Sequence, residues 1–171
     1  FGGSIYENEQ ATQTATNSVI VAKIGANGQI SQWVPTTPLP ETRHYIGNST
    51  IVLNDTVYIL GGSTAVADGE RLGTAIWAKP GANGMLSPWQ ASAPFDGALV
   101  SCLAAFSTPG HLWITGGLPK GAPTSDRVYS VAVNADGSLG KWEESYPLPT
   151  PLWFHHAGVV GGRVYIWGGL K

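Results

Sequence analysis

The chain has one cysteine and one methionine in 171 residues, and only 12% of its residues are charged. A single cysteine cannot form a disulfide within the chain, so a disulfide-stapled scaffold is excluded. The net charge of −2 gives no electrostatic attraction for nucleic acid or for an anionic membrane surface. No apolar run approaches the roughly eighteen residues that a spanning helix needs, so we predict no membrane span.

Glycine and proline are abundant instead, with 23 and 12 residues spread along the chain. They separate short apolar runs, and this pattern predicts an all-β protein with many turns. Many threonines, few lysines and almost no cysteine suit an extracellular or cell-surface protein, and we expect a bacterial one. The chain starts at Phe1 without a methionine, which indicates a processed chain or a fragment.

One sequence motif recurs along the chain: an alternating apolar run that ends at a pair of glycines. It occupies residues 57–62, 111–117 and 164–169, and the chain opens on a glycine pair at 2–3. The second glycines of these pairs are 59, 55 and 52 residues apart. Two other markers, each 56 and then 53 residues apart, keep the same phase: Trp33, Trp89 and Trp142, and the turn glycines Gly28, Gly84 and Gly137.

A period of about fifty residues with four short strands predicts a propeller blade of the kelch type. We predict one segment, 1–171, with partial repeats at about 1–40 and 150–171 and full repeats at 41–96 and 97–149. This gives about three four-stranded blades per chain, offset by half a blade. The tryptophans of the fourth strands are expected to pack between blades. Residues 4–16 are polar and are predicted to form a loop, and strands are predicted over 17–24 and 45–53.

The runs VYILGG, VYIWGG and NADGSLGKW, with PLP before the next blade, resemble bacterial kelch-repeat β-propellers over essentially the whole chain. Kelch repeats commonly carry an arginine and a histidine between the proline motif and the first strand. Arg43 matches the arginine, which Leu152 replaces in the last repeat. His155 matches the histidine, with Ile46 and Cys102 at the equivalent places. The resemblance implies no chemistry for these residues.

Three blades cannot close an ordinary propeller, which has four to eight. Two partners can therefore be expected: further blades of a longer chain, or another copy of this one. In the second case, the last two strands of one copy complete the blade that residues 17–34 of the other begin. A pair of copies would give six blades and would cover the open sheet edges.

The loops after the second and fourth strands share one face, and they carry most of the polar and aromatic candidates for a ligand site. Function usually lies on such loops over a rigid scaffold. The candidates on this face are Arg43, His44, Tyr45, Asp68, Glu70, Arg71, Asp126, Arg127, Trp153, His155 and His156.

No metal and no cofactor are predicted for these candidates. His155 and His156 are adjacent in a strand and point to opposite faces, and no Cys/His spacing supports a metal site. Trp153 or Tyr45 could instead stack on the face of a sugar. We assign no catalytic residue, because a nucleophile motif, a phosphate loop and paired carboxylates at a fixed spacing are all absent.

Two functions remain open. The first is a non-catalytic extracellular module that binds protein or glycan, or takes part in a structural assembly, through this loop face. The alternative is a carbohydrate-active kelch-type enzyme, such as an oxidase, lyase or epimerase, whose site is completed by further blades. The resemblance implies that such an enzyme needs Tyr, His, Arg or Cys around its channel. Cys102 lies in an apolar run and is predicted to be a buried hydrophobe, which argues against the enzyme.

Overall fold

The computed structural model describes residues 4–6, 13–65, 69–95 and 100–171. These residues form short strands joined by turns, and none of them is helical. No helix among them has the length and apolar character needed to cross a membrane. The described strands are β1 (Ser4–Tyr6), β2 (Gln13–Ala15), β3 (Ile20–Val21), β4 (Val34–Pro35), β5 (Thr50–Leu53), β6 (Thr56–Leu60), β7 (Ala75–Ala78), β8 (Gln90–Ala91), β9 (Val100–Ser101), β10 (Ala104–Thr108), β11 (His111–Thr115), β12 (Leu118–Pro119), β13 (Val128–Val133), β14 (Leu139–Glu144), β15 (Trp153–Val160) and β16 (Arg163–Leu170).

Two four-stranded antiparallel sheets form the middle of the molecule. The first central sheet has the order β5-β6-β7-β8, and the second has the order β10-β11-β13-β14. A two-stranded sheet comes before them in the chain (β3 and β4, the N-terminal end sheet). Another comes after them (β15 and β16, the C-terminal end sheet). The predicted all-β class is confirmed for the described residues, which form two further two-stranded sheets, β1-β2 and β12-β9.

Asx-type turns join the two strands of the N-terminal end sheet and the last two strands of each central sheet. The side-chain oxygen of Asn27 accepts the backbone N–H of Gln29 at 3.1 Å, and Asn83 and Asp136 make the same bond two residues on. The glycine that follows in each turn has a positive φ of 78° to 94°. Glycine adopts such angles without steric cost, so local chemistry alone fixes the position of these hairpins.

The core lies between sheets, since each central sheet buries both of its faces. Tyr58 and Leu60 of the first central sheet pack on Leu112, Ile114 and other apolar residues of the second. On the opposite face of the first central sheet, Ile59 and Ile76 pack with Val19, beside the N-terminal end sheet. Alternate residues of one strand thus face different neighbouring sheets, which explains why these strands have little polar content.

Two of the three repeat tryptophans pack between sheets, as predicted. The ring of Trp142 meets Phe95 edge to face at 5.2 Å, and Trp89 Nε1 donates to Thr37 O at 3.2 Å. Phe95 and Thr37 both lie in the connection that leaves the preceding sheet. Trp33, beside the N-terminal end sheet, is 55% exposed, so the prediction is wrong for this tryptophan.

The double glycines mark close backbone approaches. A Cβ on Gly116 would lie 2.3 Å from Leu152 O, nearer than such atoms ever come, and its φ is +59°. Only glycine fits there, because both the backbone angle and the neighbouring carbonyl exclude a side chain.

Several strand bounds differ from the sequence prediction. Residues 4–16, predicted to be a loop, contain the β1–β2 hairpin, with Ser4 opposite Ala15. The strand predicted over 17–24 is reduced to Ile20–Val21, followed by an isolated bridge between Ile24 and Ile30. The strand predicted over 45–53 begins at Thr50, because residues 46–49 close a turn through the Ser49 N–H and Ile46 O.

Candidate functional site

In each repeat, the segment that leads into the first strand of the sheet pairs with the residue that follows a double glycine. These entry segments are therefore equivalent to one another. His44 pairs with Ser63 just after the first double glycine, Ser101 pairs with Leu118 after the next one, and Trp153 pairs with Leu170 after the last. His44, Ser101 and Trp153 are therefore equivalent. The residues that follow them form the next equivalent set: Tyr45, Cys102 and Phe154.

This second set has an unusual backbone. Tyr45, Cys102 and Phe154 have φ angles of 59°, 57° and 54°, in the left-handed region. For residues with a Cβ this conformation costs about 1–2 kcal/mol each. Strain that recurs at equivalent places in successive units is a mark of a site where side-chain direction matters.

The structure corrects the predicted match of Cys102 with His155. Leu103 is the equivalent of Ile46 and His155, because the pairing of Ser101 with Leu118 moves the register by one residue. Cys102 is buried, as predicted. Burial raises the pKa of its thiol, against the smaller opposing effects of the Ser101 hydroxyl and the Arg71 charge. The thiol is therefore held in its neutral, unreactive form.

Aromatic rings gather at these entry segments. The Tyr45 and Phe154 ring centroids lie 5.6 Å apart, those of Trp153 and Phe154 4.9 Å apart, and those of His44 and Tyr45 3.8 Å apart. The Arg71 guanidinium carbon lies 6.0 Å from the centroid of the Tyr45 ring. We call these five residues the aromatic cluster; aromatic faces with an adjacent cation suit ligands that have apolar faces and polar edges.

The cavity at this cluster is small. It measures about 90 Å³ and is lined by Tyr45, Gly47, Asn48, Cys102, Leu103 and Phe154. Pockets that enclose a small molecule usually measure about 300–1,000 Å³. A sugar-sized ligand would therefore lie over the rings and would not be enclosed by these residues alone.

His44 is the buried member of the cluster. Burial, and then the positive charge of Arg71, lower its pKa. Neither ring nitrogen of His44 has a hydrogen-bond partner among the described residues. Its contribution to the cluster is the ring, which packs against Tyr45 at an interplanar angle of 58°.

Arg43, a predicted candidate of the ligand face, lies in the interior. It is fully buried, and Nη1 donates to Gly61 O at 2.8 Å and to Thr74 O at 3.1 Å. Nη2 donates to Glu41 at 3.0 Å, so the charge is paired. Arg43 holds the end of β6 and the start of β7 together, a structural role that sequence alone did not separate from ligand contact.

His155 is also an interior residue. Its Nε2 lies 2.7 Å from Thr115 Oγ1, and that hydroxyl lies 3.4 Å from Ala104 O. Either group can be the donor in the short contact, depending on the tautomer of His155. Burial, and then the charge of His156, lower the pKa of His155. His155 thus ties the C-terminal end sheet to the second central sheet.

The other predicted candidates divide among separate contacts. Glu70 and Lys120 form an exposed ion pair at 2.6 Å. His156 is exposed and stacks on Trp167, with the ring centroids 6.0 Å apart. It points away from His155, as strand alternation predicts.

Arg127 hydrogen-bonds the Tyr129 hydroxyl at 3.0 Å and faces Glu144 at 3.5 Å. Asp126 accepts the Leu148 N–H through its backbone carbonyl. Asp68 lies outside the described residues. The structure thus brings together His44, Tyr45, Arg71 and Trp153, and it adds Phe154 to them.

Over residues 4–6, 13–65, 69–95 and 100–171, no group of three or more His, Cys, Asp or Glu side chains could hold a metal ion. The cluster therefore offers ring faces, one guanidinium and backbone groups as its means of recognition.

Comparison with known proteins supports the fold and no more. No protein family matches the chain, and no curated protein matches it. Among solved structures, the chain is similar to that of YjhT, with a TM-score of 0.74 and 17% sequence identity. The match covers 99% of this chain and 54% of the YjhT chain, so the chain spans about half the length of that protein.

Proposed function

We propose that this chain is part of a kelch-type β-propeller, about three blades offset by half a blade, which binds a glycan without catalysis. Two four-stranded sheets packed face on face, with a two-stranded sheet at each end, support the propeller arrangement. The similarity to YjhT over nearly the whole chain supports it as well.

The aromatic cluster is the observation that carries the binding function. The ring of Phe154 contacts those of Tyr45 and Trp153, although residues 45 and 154 lie in different repeats. Neighbouring ring faces accept the apolar face of a sugar, and Arg71 can donate to its hydroxyl or carboxylate oxygens. The shallow cavity and the neutral Cys102 thiol favour recognition over chemistry at this place.

Glycan-array binding of the whole chain, followed by calorimetric titration of the best glycan, tests this proposal. We expect Tyr45→Ala and Arg71→Ala each to weaken binding by about tenfold or more, or about 1.4 kcal/mol. Tyr146→Ala and Arg127→Ala are the matched controls, because both residues are exposed and lie outside the cluster. The controls should bind within about twofold of the parent chain.

Circular dichroism should show the same folded spectrum for all four variants. Absence of binding to every glycan would overturn the proposal. Equal losses in the cluster and control variants would remove the cluster from the site. Chemical conversion of the bound sugar, followed by NMR, would replace the binding module with the enzyme hypothesis.

A further inference from the structure

The two end sheets leave large apolar side chains in solvent. Their counterparts in the central sheets, such as Tyr58 and Ile76, are buried. Exposed apolar side chains concentrated on one sheet mark an interaction site. The exposed residues on or beside the N-terminal end sheet are Ile20, Ile24, Ile30, Trp33 and Val34, and those of the C-terminal end sheet are Val159, Val160, Val164, Tyr165, Trp167 and Leu170.

The central sheets show what these end sheets lack. In the first central sheet β6 pairs with β7, with Tyr58 opposite Trp77 and Ile59 opposite Ile76. By its position within the repeat, β16 corresponds to β6. In the same way, β3 corresponds to β7. Among the described residues, β16 pairs with β15 alone and β3 pairs with β4 alone. Each end sheet therefore has the unpaired edge that the other would complete.

We infer that β16 of one copy of this chain pairs with β3 of a second copy, so that the two end sheets join into a four-stranded sheet. The register follows from the central sheets: Tyr165 lies opposite Val21 of the second copy, and Ile166 lies opposite its Ile20. The inference rests on the propeller arrangement proposed above and is independent of the glycan.

A groove marks the place of the incoming tyrosine. It measures about 550 Å³, lies between the N-terminal end sheet and the turn of the first central sheet, and is lined in part by Val21, Val34 and Gly84. At the equivalent place one unit later, Tyr58 donates its hydroxyl hydrogen to Gly137 O at 2.9 Å. Tyr165 of one copy therefore occupies the groove of the other and donates to Gly84 O.

A second contact follows from the tryptophans. Trp89 donates to Thr37 O. The equivalent of Thr37 in the second full repeat is Tyr146, because the preceding residues Thr36 and Ser145 make matching backbone bonds to the third strand. Trp33 of one copy then donates to Tyr146 O of the other. In the isolated chain Trp33 and Tyr146 are both exposed.

We assign the partner as a second copy because one chain carries both complementary edge strands, β3 and β16. Two copies related by a two-fold axis would form two such junctions and use all four end sheets. The result has two central sheets from each copy and two joint sheets, six in all, within the usual four to eight of closed propellers.

Light scattering and sedimentation of the whole chain over a range of concentrations give the first test. We expect a closed assembly with twice the mass of one chain. A single-chain mass at every concentration overturns the inference, and so does open-ended growth into larger particles.

Disulfide trapping tests the register. A chain with Ile20→Cys and Ile166→Cys should form covalent dimers on mild oxidation, because the two positions lie directly opposite across the junction. The control with Val21→Cys and Ile166→Cys should cross-link at least about tenfold more slowly, since adjacent strand positions point to opposite faces. The parent chain, whose Cys102 is buried, should not cross-link. Equal trapping in both designs overturns the register.

Tyr165→Ala tests the groove and should raise the dissociation constant of the pair by at least about tenfold. Val52→Ala is the control, because Val52 is exposed on a central sheet, and its effect should stay within about twofold. Tyr165 is exposed in the single chain, so its removal should leave the folded spectrum unchanged. Equal association of the two variants overturns the contact. These outcomes do not depend on whether any glycan binds.

Discussion

The same run, Val-Tyr-Ile, occupies β6 and β16, and its surroundings differ. Tyr58 in β6 is 0% exposed, whereas Tyr165 in β16 is 52% exposed. Both strands form a hairpin with the strand before them in register. The local sequence thus fixes the strand and its hairpin, but a neighbouring sheet decides whether the side chains are buried. Stability in this molecule comes mainly from contacts between adjacent units, as in repeat proteins generally.

Truncation of Tyr58 and Tyr165 should give the largest difference between the buried and the exposed strand. Tyr58→Ala removes a buried ring and should lower the free energy of unfolding by about 3–5 kcal/mol. Tyr165→Ala should lower it by less than about 0.5 kcal/mol, because exposed positions contribute little. Urea unfolding at a concentration low enough to keep chains apart measures both. Similar losses would mean that the tyrosine is buried in β16 as well.

Gly116 and Gly168, from two of the double glycines, provide a second comparison, with a smaller expected difference in stability. Gly116→Ala places a Cβ 2.3 Å from Leu152 O, whereas Gly168 has no atom within 4 Å of such a Cβ. Both have left-handed φ angles, so each variant should lose about 1–2 kcal/mol to backbone strain. Gly116→Ala should lose a further 1–3 kcal/mol or so from the forced contact. Thermal unfolding of both variants measures the difference, and equal losses would contradict the close approach at Gly116.

His155 and His156 extend the comparison of buried and exposed residues to a single strand. His155 is buried and its pKa is lowered, so the unfolded chain takes up its proton first as the pH falls. The unfolded state then binds more protons, and stability is present above pH 6.5 or so and declines below it. His155→Gln keeps an amide near Thr115 and should weaken this decline, measured by urea unfolding between pH 8 and 5 or thereabouts.

His156→Gln is the matched control, because His156 is exposed. It should keep most of the decline of the parent chain, because burial is the larger cause of the lowered His155 pKa and the charge of His156 the smaller one. Some loss of stability at low pH should persist in His155→Gln, since the pKa of His44 is also lowered by burial. An unchanged pH dependence in His155→Gln would show that His155 takes up its proton without loss of the fold.

Most of the fold could be predicted from the sequence because its signals are local and periodic. Turn residues such as Asn83 and Gly84 specify a hairpin by their own hydrogen bonds and backbone angles, whatever surrounds them. Repetition of such turns, with a tryptophan and a glycine pair in phase, gave the succession of strands. The hairpin of β1 and β2 was missed because its sequence is polar and lacks a turn motif of this kind.

The candidate site was harder to predict, since it depends on contacts between repeats. Arg43 and His155 carry polar groups, and only the fold shows that backbone carbonyls and Thr115 use them inside. The left-handed angles of Tyr45 and Phe154 have no sequence signal, because neither residue type favours that region. These angles bring the rings together, so the cluster could be predicted only in part, through Tyr45 and Trp153.

The hydrogen bond from Tyr58 to Gly137 also has a consequence for synthesis. Its two residues are 79 positions apart in the chain. At an elongation rate of about 5–20 residues per second, the ribosome needs roughly 4 to 16 s to add that length. During this interval the Tyr58 hydroxyl lacks its Gly137 acceptor, and the residues of the second central sheet that cover its ring are incomplete. Binding by a chaperone would be most valuable for this protein while residues 59–137 are being translated.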